Sequence, residues 1–362
     1  MSQTMSELAR ARSTELPADP EAAKPTLSTG DAEGVPEDTQ LTPVASAMAL
    51  IADELGEVEE ALGELLHSTV AIIPSVGGHL TFAGGKRFRP MVTLLAAQAA
   101  GYDSPKRITV AAAAELLHTA TLLHDDVIDE GEYRRGRPAA RLHYGNGLAV
   151  LTGDYCLARA LQAVAYLGER EAVQSMGDAV TRMAEGEVAQ LYVAGEWDLD
   201  AERYYMVIDR KTAALIAWCS SVARLIPADQ ADALARYGRE LGYAFQIADD
   251  IIDYSLDVQR SGKVRGQDLR EGKVTLPLLL AVERDAALRG RLEAMLRAGP
   301  PADEDELAEL LEGVCDAGGL EGARERASAH VETAVAALHA LPSSPARDAL
   351  EELARYVVRR TA

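Results

Sequence analysis

Two short aspartate triplets are the residues in this sequence best suited to chemistry. Asp125, Asp126 and Asp129 sit in ELLHTATLLHDDVIDEGEYRRG, and Asp249, Asp250 and Asp253 in GYAFQIADDIIDYSLD. On a helix the first and last members of the first triplet are i,i+4 neighbours that share a face, and like charges so placed repel. They destabilise the helix unless a cation sits between them. A hard divalent ion with all-oxygen coordination suits that position, and Mg²⁺ keeps several waters and completes its shell with substrate phosphates. An acidic triplet alone reads equally well as a solvated helix face. Here Leu122, Leu123, Val127 and Ile128 surround the first triplet with apolar residues, and the spacing recurs in a similar setting. Two such helices facing each other would cage several metal ions. Just downstream of the first lie Arg134 and Arg135, in a glycine-flanked segment that reads as a loop. Arginine forks match phosphate geometry. Carboxylates, a metal and arginines together describe a diphosphate site.

LLHDDVID and FQIADDIID resemble the first and second aspartate-rich motifs of the trans (E-type) polyprenyl diphosphate synthases. The resemblance runs from about Leu41 to the C-terminus, and its texture is most like the octaprenyl-type synthases. It implies an all-α fold, the isoprenoid-synthase-type helical bundle around a central active-site cavity. It also implies metal binding by Asp125, Asp126, Asp129, Asp249, Asp250 and Asp253, with Mg²⁺ as cofactor and three ions per site once substrate is bound. Gly84-Gly85-Lys86-Arg87-Phe88-Arg89-Pro90 is a basic turn that leads into a helix, and helix N-termini favour anions. Alone it would be a solvated surface turn. In the family, Lys86, Arg89, His118 and Arg135 match the isopentenyl diphosphate site. Arg134, Lys211, Thr212, Gln246, Lys263 and Lys273 match the positions that bind the allylic diphosphate, and Lys211, Asp125 and Asp249 are the expected catalytic residues. His118 by itself would read as a core histidine, and the Lys211-Thr212 dipeptide by itself carries no signal.

The implied reaction is head-to-tail chain elongation by a prenyltransferase of isoprenoid biosynthesis. The allylic diphosphate ionises, isopentenyl diphosphate attacks the allylic cation, and loss of a proton leaves a chain five carbons longer. The protein's work is charge stabilisation of the departing diphosphate. No side chain stands out as the base; the resemblance assigns that proton to the released diphosphate. Apolar helices around the charged residues keep the cation from water.

Positioning such residues needs helices, and the sequence supplies them. Ala, Leu, Glu and Arg dominate, and strand signals are nearly absent. Apolar periodicity predicts a helix over 45–70, and further helices are read over 91–100 and 172–193, with a loop and then a helix over 142–167 that includes Gly153-Asp154. Glu185, Glu187 and Gln190 approach the cage or serve as helix caps and bends. Residues 1–40, rich in Pro, Ser, Thr, Gly and acids, cannot bury enough surface to offset ordering entropy and are expected to be a disordered tail. Residues 41–362 form one helical synthase domain, and the acidic segments beyond Gly299 read as peripheral helices without chemistry. The net charge of −21 argues against nucleic acid and anionic membrane surfaces as partners. Three scattered cysteines, no transmembrane span and no apolar signal core lead to the expectation of a cytoplasmic protein. The resemblance adds homodimerisation and a transient membrane contact for product release.

Product length is set by how far the growing tail can run along the helix preceding Asp125. Ala120 and Thr121 lie one turn back, Ala113 and Ala114 further, and none is large. One isoprene unit needs roughly three residues of helix rise. Leu161, Val164 and Met176 are the candidate floor. The expectation is a long all-trans product of about C35–C50, as for quinone side chains, with a C15–C20 farnesyl or geranylgeranyl product as the alternative. A class I terpene cyclase has no basic isopentenyl site, and a non-catalytic partner subunit commonly lacks one aspartate motif. Both readings fit less well.

Overall fold

The computed structural model describes residues 43–193, 199–255, 265–298 and 304–361. The expected tail over 1–40 and Lys263 lie outside the described residues. The chain runs through helices α1 (Pro43–Leu50), α2 (Ala52–Leu66), α3 (Ile72–Thr81), α4 (Phe88–Ala99) and α5 (Lys106–Ile128). A two-stranded antiparallel hairpin follows, β1 (Tyr133–Arg134) and β2 (Arg137–Pro138), pairing Tyr133 with Pro138 and Arg134 with Arg137. Next come α6 (Ala140–Tyr144), α7 (Asn146–Tyr166), α8 (Arg170–Val193) and α9 (Ala201–Ile208). A π-helical turn, Asp209–Ala213, joins α9 to α10 (Ala214–Ser220), and a 3₁₀ turn, Val222–Arg224, precedes α11 (Ala228–Ser255). The chain ends with α12 (Gln267–Arg270), α13 (Leu276–Arg284), α14 (Ala286–Ala298), α15 (Glu304–Asp316), α16 (Gly319–Leu338) and α17 (Pro345–Arg359).

The fold is an all-α bundle, as the composition predicts. The helix expected over 45–70 is two helices, because the backbone of the buried Ile51 leaves the helical region (φ −126°, ψ 24°), and α2 stops at Leu66. The stretch 204–225 runs through α9, the π turn, α10 and the 3₁₀ turn.

Two helices lie at the centre. On α5, Ala111 to Ala114, Leu116, Leu117, Ala120 and Leu123 are all buried, so the helix is apolar nearly all round, as a core helix must be. Each leucine so buried contributes roughly 1.5–3 kcal/mol of transfer free energy. α7 packs along α5, and at Gly153 the approach is so close that a methyl group would lie 2.3 Å from His124 Nε2. α11 is packed between α10 and α16. α5 and α11 carry the two aspartate triplets. Among the described residues no helix is long and apolar enough to cross a membrane.

Candidate active site

Asp125 and Asp129 project from the end of α5 into a cleft of about 630 Å³. Facing them are Tyr204 from α9, Lys211 and Thr212 from the π turn, Gln246 and Asp250 from α11, and Asp268, Glu271 and Lys273 from the segment around α12. Arg134 enters from the hairpin. Polar side chains on the α9–α11 wall are linked in series. Thr212 Oγ1 donates to Gln246 Oε1 (2.8 Å), Gln246 Nε2 donates to Asp250 Oδ1 (2.9 Å), and Tyr204 OH donates to Asp250 Oδ2 (2.6 Å). Lys211 Nζ pairs with Glu187 Oε2 at 2.7 Å, and Lys273 pairs with Glu271.

The six aspartates do not share one environment. Asp125, Asp129 and Asp250 line the cleft. Asp126 is fully buried beside it and accepts from both Nε and Nη2 of Arg134 at 2.8 Å, so it anchors that arginine. Asp249 pairs with Arg360 at 2.7 Å. Asp253 accepts the backbone N–H groups of Gln267 and Asp268 (3.1 and 3.2 Å), tying α11 to the segment that carries Asp268 and Lys273.

Electrostatically the cleft is short of positive charge. Burial, then the neighbouring charges of Glu187 and Asp129, push the Asp125 carboxyl up to about 6 against the pull of Lys211 and Arg134. Burial pushes Asp250 up to about 7 in spite of its two donors. Burial and the charges of Asp250 and Asp253 also raise Asp268. Asp126 Oδ2 and Glu187 Oε1 are buried without a hydrogen-bond partner. The crowded, acceptor-only hard oxygens of Asp125, Asp129, Asp250 and Asp268 in the cleft fit a hard divalent cation. Among the described residues no three ligating side chains converge into a ready-made cage. The remaining ligands would therefore come from water and substrate phosphates, the usual condition for Mg²⁺.

A pH dependence follows. Asp125 and Asp250 hold protons more tightly folded than unfolded, so in metal-free protein the contribution of these two groups to stability is lost as pH rises from about 4 through 6 to 7. The difference in melting temperature between D125N and the wild type without divalent ions isolates the Asp125 part from groups shifted the other way, such as His118. It is expected to grow in favour of D125N across that window, with added Mg²⁺ restoring the wild type most at the high-pH end. A difference that instead shrinks with rising pH would contradict this charge balance.

A second cavity, of about 500 Å³, adjoins the first. Consecutive residues divide between them: Arg134 and Gln246 line the cleft, while Arg135 and Phe245 line the second cavity. Lys86, Arg89, His118, Arg135 and Arg360 supply its donors. The turn that presents Lys86 needs glycine, with φ of 90° at Gly84 and 146° at Gly85. Arg135 Nη1 donates to the carbonyls of Leu80 (2.9 Å) and Gly84 (2.7 Å), which fixes its fork against that turn. Arg87 also lines this cavity, but its guanidinium is taken up by Glu59 and by Glu115 (3.1 Å), which lines the cavity too. Arg89 Nε is a buried donor with no partner. Burial, with the charges of Arg89, Arg135 and Arg134, drives His118 well below its usual range, so it is neutral at pH 7. This cavity is built for an anion.

Structure and expectation differ in several places. Tyr204, Asp268 and Glu271 line the cleft and Arg360 and Tyr356 the second cavity, although none was expected there. Asp268 lies within SGKVRGQDLREGK, a stretch singled out only for its lysines; Arg360 gives no local signal, and the C-terminal helices thus do contribute to a site. Of the expected product-length residues, Ala120, Val164 and Met176 are buried in the core, Leu161 packs against it, and Thr121 donates to His118 O (2.8 Å). None of the five lines either cavity. Gln190 does line the cleft, and Glu185 pairs with Arg210.

Residues 70–314 match the family model described as polyprenyl synthetase. The chain is 41% identical to octaprenyl diphosphate synthase of Escherichia coli (strain K12) over 318 residues, 86% of this chain and 97% of that protein. Among solved structures, polyprenyl synthase from Caulobacter crescentus CB15, complexed with calcium and isoprenyl diphosphate, superposes with a TM-score of 0.83 at 37% identity. It covers 90% of this chain and 100% of its own. A decaprenyl diphosphate synthase from Rhodobacter capsulatus gives 0.82 at 40% identity, with 88% and 100% covered.

Proposed function

The chain belongs to the polyprenyl synthetase family and is a prenyltransferase, and from that premise we propose how its two cavities divide the reaction. The allylic diphosphate occupies the carboxylate-lined cleft, and isopentenyl diphosphate occupies the arginine-lined cavity beside it. The observation that carries this reading is the adjacency of two anion-suited cavities of different chemistry. One is rich in carboxylates that call for divalent cations; the other is rich in guanidinium groups.

Asp125 and Asp129 on α5, with Asp250 and Asp268 opposite, would hold Mg²⁺, three ions with substrate bound. When bound, the ions withdraw charge from the leaving diphosphate. Lys211, Thr212, Gln246, Lys273 and the Asp126-anchored Arg134 orient that diphosphate and stabilise the charge it gains as the C–O bond breaks. Lys86, Arg89, Arg135 and the neutral His118 hold isopentenyl diphosphate so that its double bond faces the allylic carbon. After attack, the departed diphosphate accepts the proton lost from the new chain. Asp249 and Asp253 contribute by fixing Arg360 and the Asp268 segment.

The product is a long all-trans polyprenyl diphosphate, and the enzyme acts as a cytoplasmic homodimer. The similarity to octaprenyl and decaprenyl diphosphate synthases supports the chain length. Its three free cysteines suit a reducing compartment. Ala120 is packed in the core and lines neither cavity, so a tail on this face would have to part the helices around it. Replacing Ala120 with Phe tests that route and is expected to shorten the product by several isoprene units, as read by chromatography of the dephosphorylated chains. A product of unchanged length would place the tail away from this face of α5.

A further inference from the structure

The π turn at Asp209–Ala213 bears Lys211 and Thr212, and its shape is imposed from three sides. Along the backbone, Ala214 N–H donates to Asp209 O, an i+5 bond that inserts one extra residue into the turn. A wider turn reduces the angle between consecutive side chains, and both Lys211 and Thr212 line the cleft. Two glycines admit the bulge. A methyl group on Gly186 of α8 would lie 2.7 Å from Arg210 Cβ and 2.8 Å from Lys211 N. One on Gly242 of α11 would lie 2.5 Å from Ala213 Cα. Asp209, the first residue of the turn, accepts from Arg182 on α8 and from Arg239 Nε (2.6 Å) and Tyr243 OH (2.7 Å) on α11. Arg239 Nε also reaches Tyr243 OH at 2.9 Å. Burial opposes the charge of Asp209, but the bonds from Tyr243 and Arg239 prevail and its carboxyl lies below the usual range.

We propose that Asp209 is a positioning residue for elongation: its carboxylate clamps the π turn to α8 and α11 and so aims Lys211 and Thr212 at the allylic diphosphate. Asp209 does not line the cleft itself. A turn released from the clamp regains the intrinsically better α-helical hydrogen bonding, and a one-residue change of phase rotates side chains by about 100°. Lys211 would then leave the leaving group, while the donors of the second cavity, which come from the turn before α4, from α4, α5, the hairpin and the end of α17, keep their places; α11 contributes only the apolar Phe245 to that cavity. The inference rests on the assignment of the cleft to the allylic substrate.

The test is steady-state kinetics of D209A and R239Q, varying farnesyl diphosphate and isopentenyl diphosphate separately, with amide hydrogen exchange across 205–216. D209A is expected to raise the KM for farnesyl diphosphate about tenfold, leave that for isopentenyl diphosphate within about twofold, and speed exchange within the π turn. R239Q removes one of three donors at a half-exposed position, and is expected to shift the same ratio by about two- to fivefold in a folded protein. Equal changes in both KM values, or no change in either variant, would overturn the proposal. K211M run alongside separates the two claims. If K211M weakens farnesyl diphosphate and D209A does not, the clamp fails and the cleft assignment stands; if K211M leaves farnesyl diphosphate binding intact, both fail.

Discussion

Asp125→Asn is expected to lower kcat for elongation about a thousandfold, on the order of 4 kcal/mol of transition-state stabilisation, while making the metal-free protein more stable. The side chain keeps its shape and loses its charge. Asp125 lines the cleft, is pushed up to about 6 by burial and by Glu187 and Asp129, and lies opposite Lys211. With one carboxylate fewer, repulsion inside the cleft falls, so a melt without Mg²⁺ should shift upward. Divalent binding, read by calorimetry with inorganic diphosphate present, should weaken. A gain in stability with loss of activity is the mark of a residue kept for function. Asp126→Asn supplies the contrast: Asp126 anchors Arg134 and does not line the cleft, so its loss should raise the KM for the allylic substrate with a smaller effect on kcat. Activity of D125N within tenfold of the wild type, or a melt that shifts down, would remove Asp125 from the role assigned to it.

Lys211→Met is expected to cost about a hundredfold in kcat/KM for the allylic diphosphate and to leave the KM for isopentenyl diphosphate unchanged. A positive charge aimed at the leaving diphosphate is worth most in a water-poor cleft. The same change strands Glu187, whose Oε2 is 2.7 Å from Lys211 Nζ and whose Oε1 is already buried without a partner. An unpaired buried polar group costs about 1–3 kcal/mol and a charged one more, so K211M should also melt lower. The double variant K211M/E187Q separates the two effects. It should recover stability because the stranded charge is gone, and should stay inactive because the cation is gone too. Recovery of activity with stability would make Lys211 a structural partner of Glu187 and nothing more.

What the sequence made legible was periodicity and incongruity. Carboxylates in apolar runs stand out because burying charge is costly without a partner, and this made Asp125, Asp129 and Asp250 readable before any fold was known. Their helical spacing put Asp125 and Asp129 on one face, and both line the cleft. Spacing could not separate Asp126 from its neighbours, since that depends on where Arg134 folds back after the hairpin. Lys211 and Thr212 were legible through the family resemblance alone; the π turn that presents them depends on glycines on two other helices. Arg360 meets Asp249 across a separation in sequence of more than a hundred residues, and no local pattern marks it. The break at Ile51 was likewise hidden, because the residues on both sides keep a continuous apolar stripe.

The most direct measurement incubates the purified protein with Mg²⁺, farnesyl diphosphate and labelled isopentenyl diphosphate and sizes the dephosphorylated products. The account predicts a ladder that ends between about C35 and C50, with incorporation abolished by chelating the metal and by D125N. No incorporation from any allylic starter would contradict the division of two diphosphates between the two cavities. Products that stop at C20 would keep that division and contradict the long-chain reading.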